Sequence, residues 1–403
     1  MGLAKRHQEE IWARGFGDTD KTLCLECVID ETLREETRPH LSESACSFCG
    51  AVAEDEEPIA APFEDFMHIV MRAVRFLYMS VEDAGLVHDE GEWFGGHVFD
   101  SADVAYDICE GDVQDDVLEA VTVVLTDQLW TGCHIAETTR DQALRWGWDV
   151  FCDMVKHRSR FVFLSTPEEG SRHPGEFTAA EFLRELERIL PDTGALLKVP
   201  AGRVFWRGRL ADAPSKVDEY GTAAELGSPP REHASNNRMS PAGISMFYGS
   251  DDIDTVVAEI GAHSTRRYAI VGAFQTTREL TLLNLADLPP VPSLYREVPP
   301  GERYFDVRFL RSFATDLGKP ITLDGREHIE YVPTQVVTEF LRFLPRYPVD
   351  GILFRSAQND GVNCVLFCDS TGCVDADVSD HTYLRLQPDT VRWVRIVTKV
   401  ATA

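Results

Sequence analysis

The sequence predicts an α+β protein, with a cysteine module and a helical region ahead of a mixed α/β domain. Three observations carry that expectation. Apolar residues between about Phe63 and Val155 recur at helical spacing, whereas from Gly202 onward short β-branched and aromatic runs bounded by Gly and Pro read as strands. The third is a pair of Cys-x-x-Cys motifs near the N-terminus. A chain of 403 residues exceeds what one core serves, so several units are expected: a cysteine module over 1–60, a helical domain over 61–165, a linker and connecting helix over 166–198, and a mixed α/β domain over 199–403.

Cys24-x-x-Cys27 and Cys46-x-x-Cys49 are separated by 18 residues, a spacing that suits two knuckles offering four thiolates to one tetrahedral zinc. Four thiolates close the coordination sphere, so such an ion holds structure and activates no water. Gly50 eases the tight turn. Free thiols paired by chance are the alternative. Cys109, Cys133, Cys152, Cys364, Cys368 and Cys373 are expected as small apolar core residues. Glu54 to Pro62, acidic and Pro-containing, reads as a linker. Phe66, Ile69, Val70, Ala73 and Phe76 then mark a first amphipathic helix, with Val117 to Leu129 and Gln142 to Val155 as further helices. Asp100 to Asp116 reads as an acidic loop.

Pro167, Gly170, Pro174 and Gly175 interrupt the pattern. Thr178-Ala-Ala-Glu181 is a capping box that opens an amphipathic helix ending at Leu190-Pro191. Strands are expected over 202–210, 269–275 and 281–285, and Leu288 to Pro300 as a proline-rich surface connection. Pro333 to Leu344 reads as a helix with proline at its first position. Gly351 to Arg355 and Asn363 to Cys368 form a strand pair joined by Gln358-Asn-Asp-Gly361, which has hairpin-turn residues.

The middle of this domain concentrates the chemistry. Asn236 to Gly243 is a turn segment, followed by a strand in which Ile244, Met246 and Tyr248 alternate with Ser245 and Phe247. Asp251 or Asp252 caps the next helix, where Thr255 and Glu259 share a face. Loop, strand and helix thus bring Arg238, Tyr248 and Glu259 toward one region.

Asn237-Arg-Met-Ser-Pro-Ala-Gly243, Phe247-Tyr248 and Ala258-Glu259 resemble the central motif of the RES domain. Phe205-Trp-Arg207 upstream and Asp350-Gly-Ile-Leu-Phe-Arg-Ser356 downstream resemble its flanking elements, with Gly361, Asn363, Leu366 and Phe367 in the strand that follows. The resemblance implies a fold related to ADP-ribosyltransferases and an NAD-degrading, toxin-like activity. Trp146-Gly-Trp148 and Lys156 to Phe161 are similar to the helical domain fused ahead of some RES domains and classed with HEPN domains. HEPN ribonucleases use a closely spaced Arg and His. The pair with that spacing here, Arg34 and His40, lies in the cysteine module, so the helical domain is read as a scaffold or sensor.

The resemblance assigns catalysis to Arg207, Tyr248, Glu259 and Ser356, and NAD binding to Arg207, Arg238, Tyr248, Asn237, Asn363 and Gln335. The chemistry suits these types. A guanidinium offers a planar fork to phosphate oxygens, a phenol stacks on a nicotinamide ring, and a carboxylate stabilises the cation left on ribose. Plainer roles are open to each: an internal ion pair for Arg207, core packing for Tyr248, a solvated face for Glu259, a turn cap for Ser356. Arg209 competes with Arg207 for the family role, and the preceding aromatics, Phe205 and Trp206, favour Arg207.

A formal charge of −28 argues against nucleic acid or an anionic membrane as partner, and no run is long enough to span a bilayer, so a cytoplasmic protein is expected. The reading that results is an NAD-consuming enzyme cleaving the nicotinamide N-glycosidic bond with water or phosphate as acceptor, in toxin–antitoxin or phage-defence biology. Transfer of ADP-ribose to a protein, and a catalytically silent binding module, are the alternatives. An antitoxin or trigger protein is the expected partner besides NAD; oligomerisation is left open.

Overall fold

A computed structural model describes residues 3–89, 91–133, 138–162, 177–262, 264–319, 325–343 and 346–397. The chain falls into two compact units, Met1–Thr139 with Val291–Tyr304, and Arg140–Pro290 with Phe305–Ala403. The boundary expected between Thr166 and Gly175 lies outside the described residues.

In the first unit the strand Thr22–Cys24 pairs antiparallel with Ala60–Pro62, closing the cysteine module. Helix Phe63–Leu77 follows at once, with Glu64 and Asp65 in its first turn, where the helix dipole favours acids. Phe66, Ile69, Val70 and Ala73 are buried as the periodicity predicts, Phe76 is half-buried, and Phe63, Met67, Met71 and Val74 widen the buried face. Two local readings change. The segment expected as an acidic loop contains helix Ser101–Cys109, started by a reciprocal capping box between Asp100 and Asp103 and burying Val104, Ala105, Ile108 and Cys109. Its acids hide a one-turn apolar repeat. The helix expected to reach Leu129 stops at Val124, because Trp130–Gly132 is drawn into a strand pair with Tyr78–Ser80. Arg34 donates to the Val28 carbonyl at 2.7 Å and His40 lies 3.8 Å from Asp65, so each has a structural partner.

The proline-rich segment is a strap, not a surface connection. Residues 291–304 pack into the first unit, where Tyr295 is 4% exposed and the single proton of its hydroxyl is shared between the Ile108 carbonyl (2.6 Å) and Asp112 (2.7 Å). Three prolines shape the backbone, but the tyrosine determines where the segment goes.

In the second unit helix Arg140–Asp153, continued by a π-helical turn Met154–Arg158, packs on Ala179–Thr193. Trp148, Phe151, Phe182, Phe309 and Phe313 form one ring cluster, with Trp148 edge-on to Phe313 at 5.0 Å. Trp146 and Val150, on the other side of the helix, are exposed. The Thr178 and Glu181 capping box forms as expected, but the helix passes Pro191 and ends at Thr193, before Gly194 at φ 79°. Proline leaves the Glu187 carbonyl without its helical donor, and the Tyr347 hydroxyl supplies one at 2.6 Å.

The remaining residues build a nine-stranded mixed sheet among the described residues, in the order 373–374, 384–395, 268–276, 204–211, 247–250, 362–366, 351–355, 280–284, 196–199. The strands expected over 202–210, 269–275, 281–285, 351–355 and 363–368 form within two residues of their predicted ends, but the one expected from Ile244 pairs only over Phe247–Ser250. Strand Leu384–Arg395 is an addition; Pro388 and Asp389 break its pattern, and a register shift opposite Val271 and Ala273 absorbs them, with the Thr390 hydroxyl accepting from the Ala273 N–H at 2.9 Å. One feature of the sheet positions the site. Val204–Ala211 and Phe247–Ser250 pair at a single position, Trp206 with Ser250, so the sheet opens between them. Among the described residues no helix is long and apolar enough to cross a membrane.

Candidate active site

The opening is a cleft of about 540 Å³ lined by residues of both splayed strands, the 233–240 loop, helix Ile253–Gly261 and the hairpin that follows Phe354. That size falls within the range of small-molecule sites. The helix is started by Asp252, whose carboxylate accepts from the Thr255 N–H and hydroxyl, both at 2.7 Å; Asp251 instead pairs with Arg203 at 2.7 Å. One face of the helix lies against the strand at Gly208, where an added Cβ would sit 2.7 Å from Val256 and 2.9 Å from Ile260. Glu259 is thereby carried to the cleft wall, half-buried.

The Glu259 carboxylate is fixed through one oxygen. Oε1 accepts from the Ser356 hydroxyl at 2.5 Å and from Asn363 Nδ2 at 2.7 Å, and the Asn363 carbonyl accepts from the buried Ser250 hydroxyl at 2.6 Å. Among the described residues Oε2 has no hydrogen-bond partner. Strands Gly351–Arg355 and Val362–Leu366 supply this network because their turn docks on the helix: Asn359 donates to the Thr255 hydroxyl at 3.2 Å, and a Cβ on Gly361 would come within 1.9 Å of that hydroxyl. Only glycine permits the approach. Gly361→Ala is therefore expected to cost about 1–3 kcal/mol in chemical denaturation, and an unchanged midpoint would contradict the contact.

The two strand arginines lie on one face, two residues apart, and differ in what holds them. Arg207 is buried; its Nε donates to the Leu226 carbonyl at 2.8 Å and Nη1 to the Tyr248 carbonyl, so the side chain spans the gap where backbone pairing fails. Burial, and next the Arg209 charge, lower it to about 10. Arg209 Nη2 donates to the Gly227 carbonyl at 3.0 Å, while its Nε is buried without a partner. Arg238 lines the cleft but gives two nitrogens to the end of helix Glu302–Gly318 and beyond, bonding the Leu317 carbonyl and the Lys319 carbonyl, the latter at 2.7 Å; burial lowers it too.

Tyr248 lines the cleft and packs against the core behind it, with the Ser240 hydroxyl 2.9 Å from its own, and burial pushes the phenol up to about 12. Asn237 reaches the lining but also makes the turn, exchanging backbone bonds with Ser240. Gln335 stands behind that loop instead of in the cleft lining, donating to Asn236 Oδ1 (2.9 Å) and to the Asn237 carbonyl (2.7 Å). Ser356 likewise acts through Glu259. The structure thus gathers Arg207, Arg238, Tyr248, Glu259, Asn237 and Asn363 at one cleft, with Gln335 and Ser356 bracing it. Tyr331, Arg355 and His233 also line it, and sequence reasoning passed over them. Arg355 had a visible signal, since it adjoins Ser356; Tyr331 and His233 sit in segments without periodicity.

In the first unit the sulfurs of Cys24, Cys27, Cys46 and Cys49 lie within 4.8 Å of one another, with separations of 3.7 Å (Cys24–Cys27), 3.5 Å (Cys24–Cys49) and 3.9 Å (Cys27–Cys46). Zinc–sulfur bonds of about 2.3 Å in a tetrahedron place sulfurs about 3.8 Å apart, so the donor set fits that ion. Gly50, at φ 73°, makes the turn after Cys49. Burial pushes the Cys24 and Cys27 thiols up, and at Cys46 it is outweighed by backbone N–H groups of Cys49, Phe48 and Cys24, which bring that thiol to about 7.

Comparison with known proteins gives two family matches: HEPN/RES N-terminal domain 1 over residues 40–169 and RES domain over residues 206–389. No curated protein matches the chain. Among solved structures it is similar to a chain of the M. tuberculosis MbcT–MbcA toxin–antitoxin complex, at 14% identity and TM-score 0.27, over 52% of this chain and 91% of that one. The chain accordingly carries a HEPN/RES N-terminal domain 1 followed by a RES domain.

Proposed function

We propose that the cleft binds NAD and breaks the bond between nicotinamide and ribose, with water or phosphate taking the ADP-ribosyl group. Nicotinamide leaves as a neutral base with the bonding electrons, and the ribose carbon becomes an oxocarbenium. The acceptor oxygen adds to that carbon, and its proton passes to solvent. The protein's work is to hold the dinucleotide and to place negative charge beside the developing cation.

The observation that carries this reading is the Glu259 carboxylate, locked by Ser356 and Asn363 through Oε1 with Oε2 unbonded at the cleft wall. A carboxylate so held needs no reorganisation as charge develops. Tyr248 offers a ring face for nicotinamide, and the RES domain match supports NAD as the substrate. In this reading the protein acts as a toxin restrained by an antitoxin or unleashed by a trigger protein, and the Cys24, Cys27, Cys46 and Cys49 cluster holds a structural zinc. Transfer of ADP-ribose to a protein side chain uses the same grip and differs only in the acceptor.

Adenylate-labelled NAD separates these. Label in free ADP-ribose or its 1-phosphate is the expected result, label on protein would favour transfer, and label remaining in NAD would contradict both.

A further inference from the structure

Arg209 is the cleft residue whose chemistry is incomplete. Its strand neighbour Arg207 gives Nε to the Leu226 carbonyl and Nη1 to the Tyr248 carbonyl across the split in the sheet, and so serves as a strut. Arg238 spends two nitrogens on the carbonyls of Leu317 and Lys319. Arg209 makes one bond, to the Gly227 carbonyl at 3.0 Å, and leaves Nε buried with no partner. Neither Arg207 nor Arg209 forms an ion pair among the described residues, although the chain as a whole carries 67 acids against 39 Lys and Arg. Two guanidinium groups on one strand face, Arg207 buried and Arg209 half-buried, neither matched by a carboxylate among the described residues, are costly in the empty protein. An anion in the cleft would offset that cost, and a guanidinium fork suits phosphate oxygens in particular.

We infer that Arg209, and not Arg207, carries the phosphate contact of the ligand: the Nη N–H groups that its bond to Gly227 leaves over take the diphosphate of a dinucleotide, while Arg207 holds the split strands at the right separation. The diphosphate assignment rests on the NAD reading; the anion site itself does not. Arg209 is a binding residue in this account, and its loss raises KM more than it lowers kcat.

Calorimetric titration of wild type, Arg209→Gln and Arg209→Lys with ADP, inorganic pyrophosphate and adenosine tests this. Arg209→Gln should weaken ADP and pyrophosphate roughly tenfold or more, Arg209→Lys should fall between it and wild type, and adenosine should bind all three within about twofold. ADP binding equally well to Arg209→Gln and wild type would overturn the inference, as would a wild type that binds neither anion. Pyrophosphate bound through Arg209 by a protein that ignores ADP would keep the anion site and discard the dinucleotide. Should the Gln variant fail to fold, the Lys variant and salt dependence decide: added salt must weaken ADP and spare adenosine, and a salt-independent ADP affinity would overturn the assignment.

Discussion

Glu259→Gln should slow nicotinamide release from NAD by about 10²–10³-fold while leaving ADP affinity within a few-fold of wild type. The substitution is selective for charge. A glutamine carbonyl can still accept from Ser356 and Asn363, so the bonds that orient the side chain survive, as does the Asn363 link to Ser250. What disappears is the negative charge facing the ribose as it becomes cationic. A structural role for Glu259 predicts the opposite pattern, with stability falling and turnover falling only in proportion to folded protein. Steady-state kinetics alongside thermal unfolding distinguishes them, and turnover retained in a folded variant would remove the carboxylate from the mechanism.

Cys27→Ser carries the second large effect. Cys27 is fully buried and its sulfur stands 3.7 Å from Cys24 and 3.9 Å from Cys46, so the variant replaces a central ligand with a poor one. Structural zinc contributes folding free energy directly, on the order of 10 kcal/mol in small zinc domains. The expected result is loss of about one zinc per chain by elemental analysis and a collapsed unfolding transition for the first unit, reproduced in wild type by a strong chelator. Purified wild type free of metal, with a melting curve indifferent to the chelator, would contradict the assignment.

Much of the architecture was legible because its signals are local. The Thr178 capping box, the spacing from Phe63 to Ala73, and the alternation that sends Met246 and Tyr248 to one side of Phe247 need no tertiary information. Errors arose where distant residues decide. Ser101–Cys109 is helical because its apolar side meets a core that its acidic composition does not announce. Pro191 is tolerated because Tyr347, far along the chain, takes the freed carbonyl. Residues 291–300 read as a surface connection because nothing nearby shows that Tyr295 will find Ile108 and Asp112.

The site divides the same way. Residue types in family order brought Arg207, Arg238, Tyr248, Glu259 and Asn363 to the cleft, but their bonding was not readable. Sequence favoured Arg207 over Arg209 as the phosphate grip on the strength of its aromatic neighbours. The split between strands gives Arg207 another task and leaves Arg209 with the unfilled donor. Tyr331 lines the cleft from the turn between the short helix Glu327–Glu330 and helix Val332–Phe343, where no periodic pattern marks it.

The most direct test of the central claim is a time course of free nicotinamide, followed by proton NMR, with purified wild-type protein and NAD at neutral pH. Release proportional to enzyme concentration, matched by loss of NAD, is the predicted result. NAD left intact by folded protein that binds ADP would show that the cleft holds the nucleotide without breaking it, and would contradict the account.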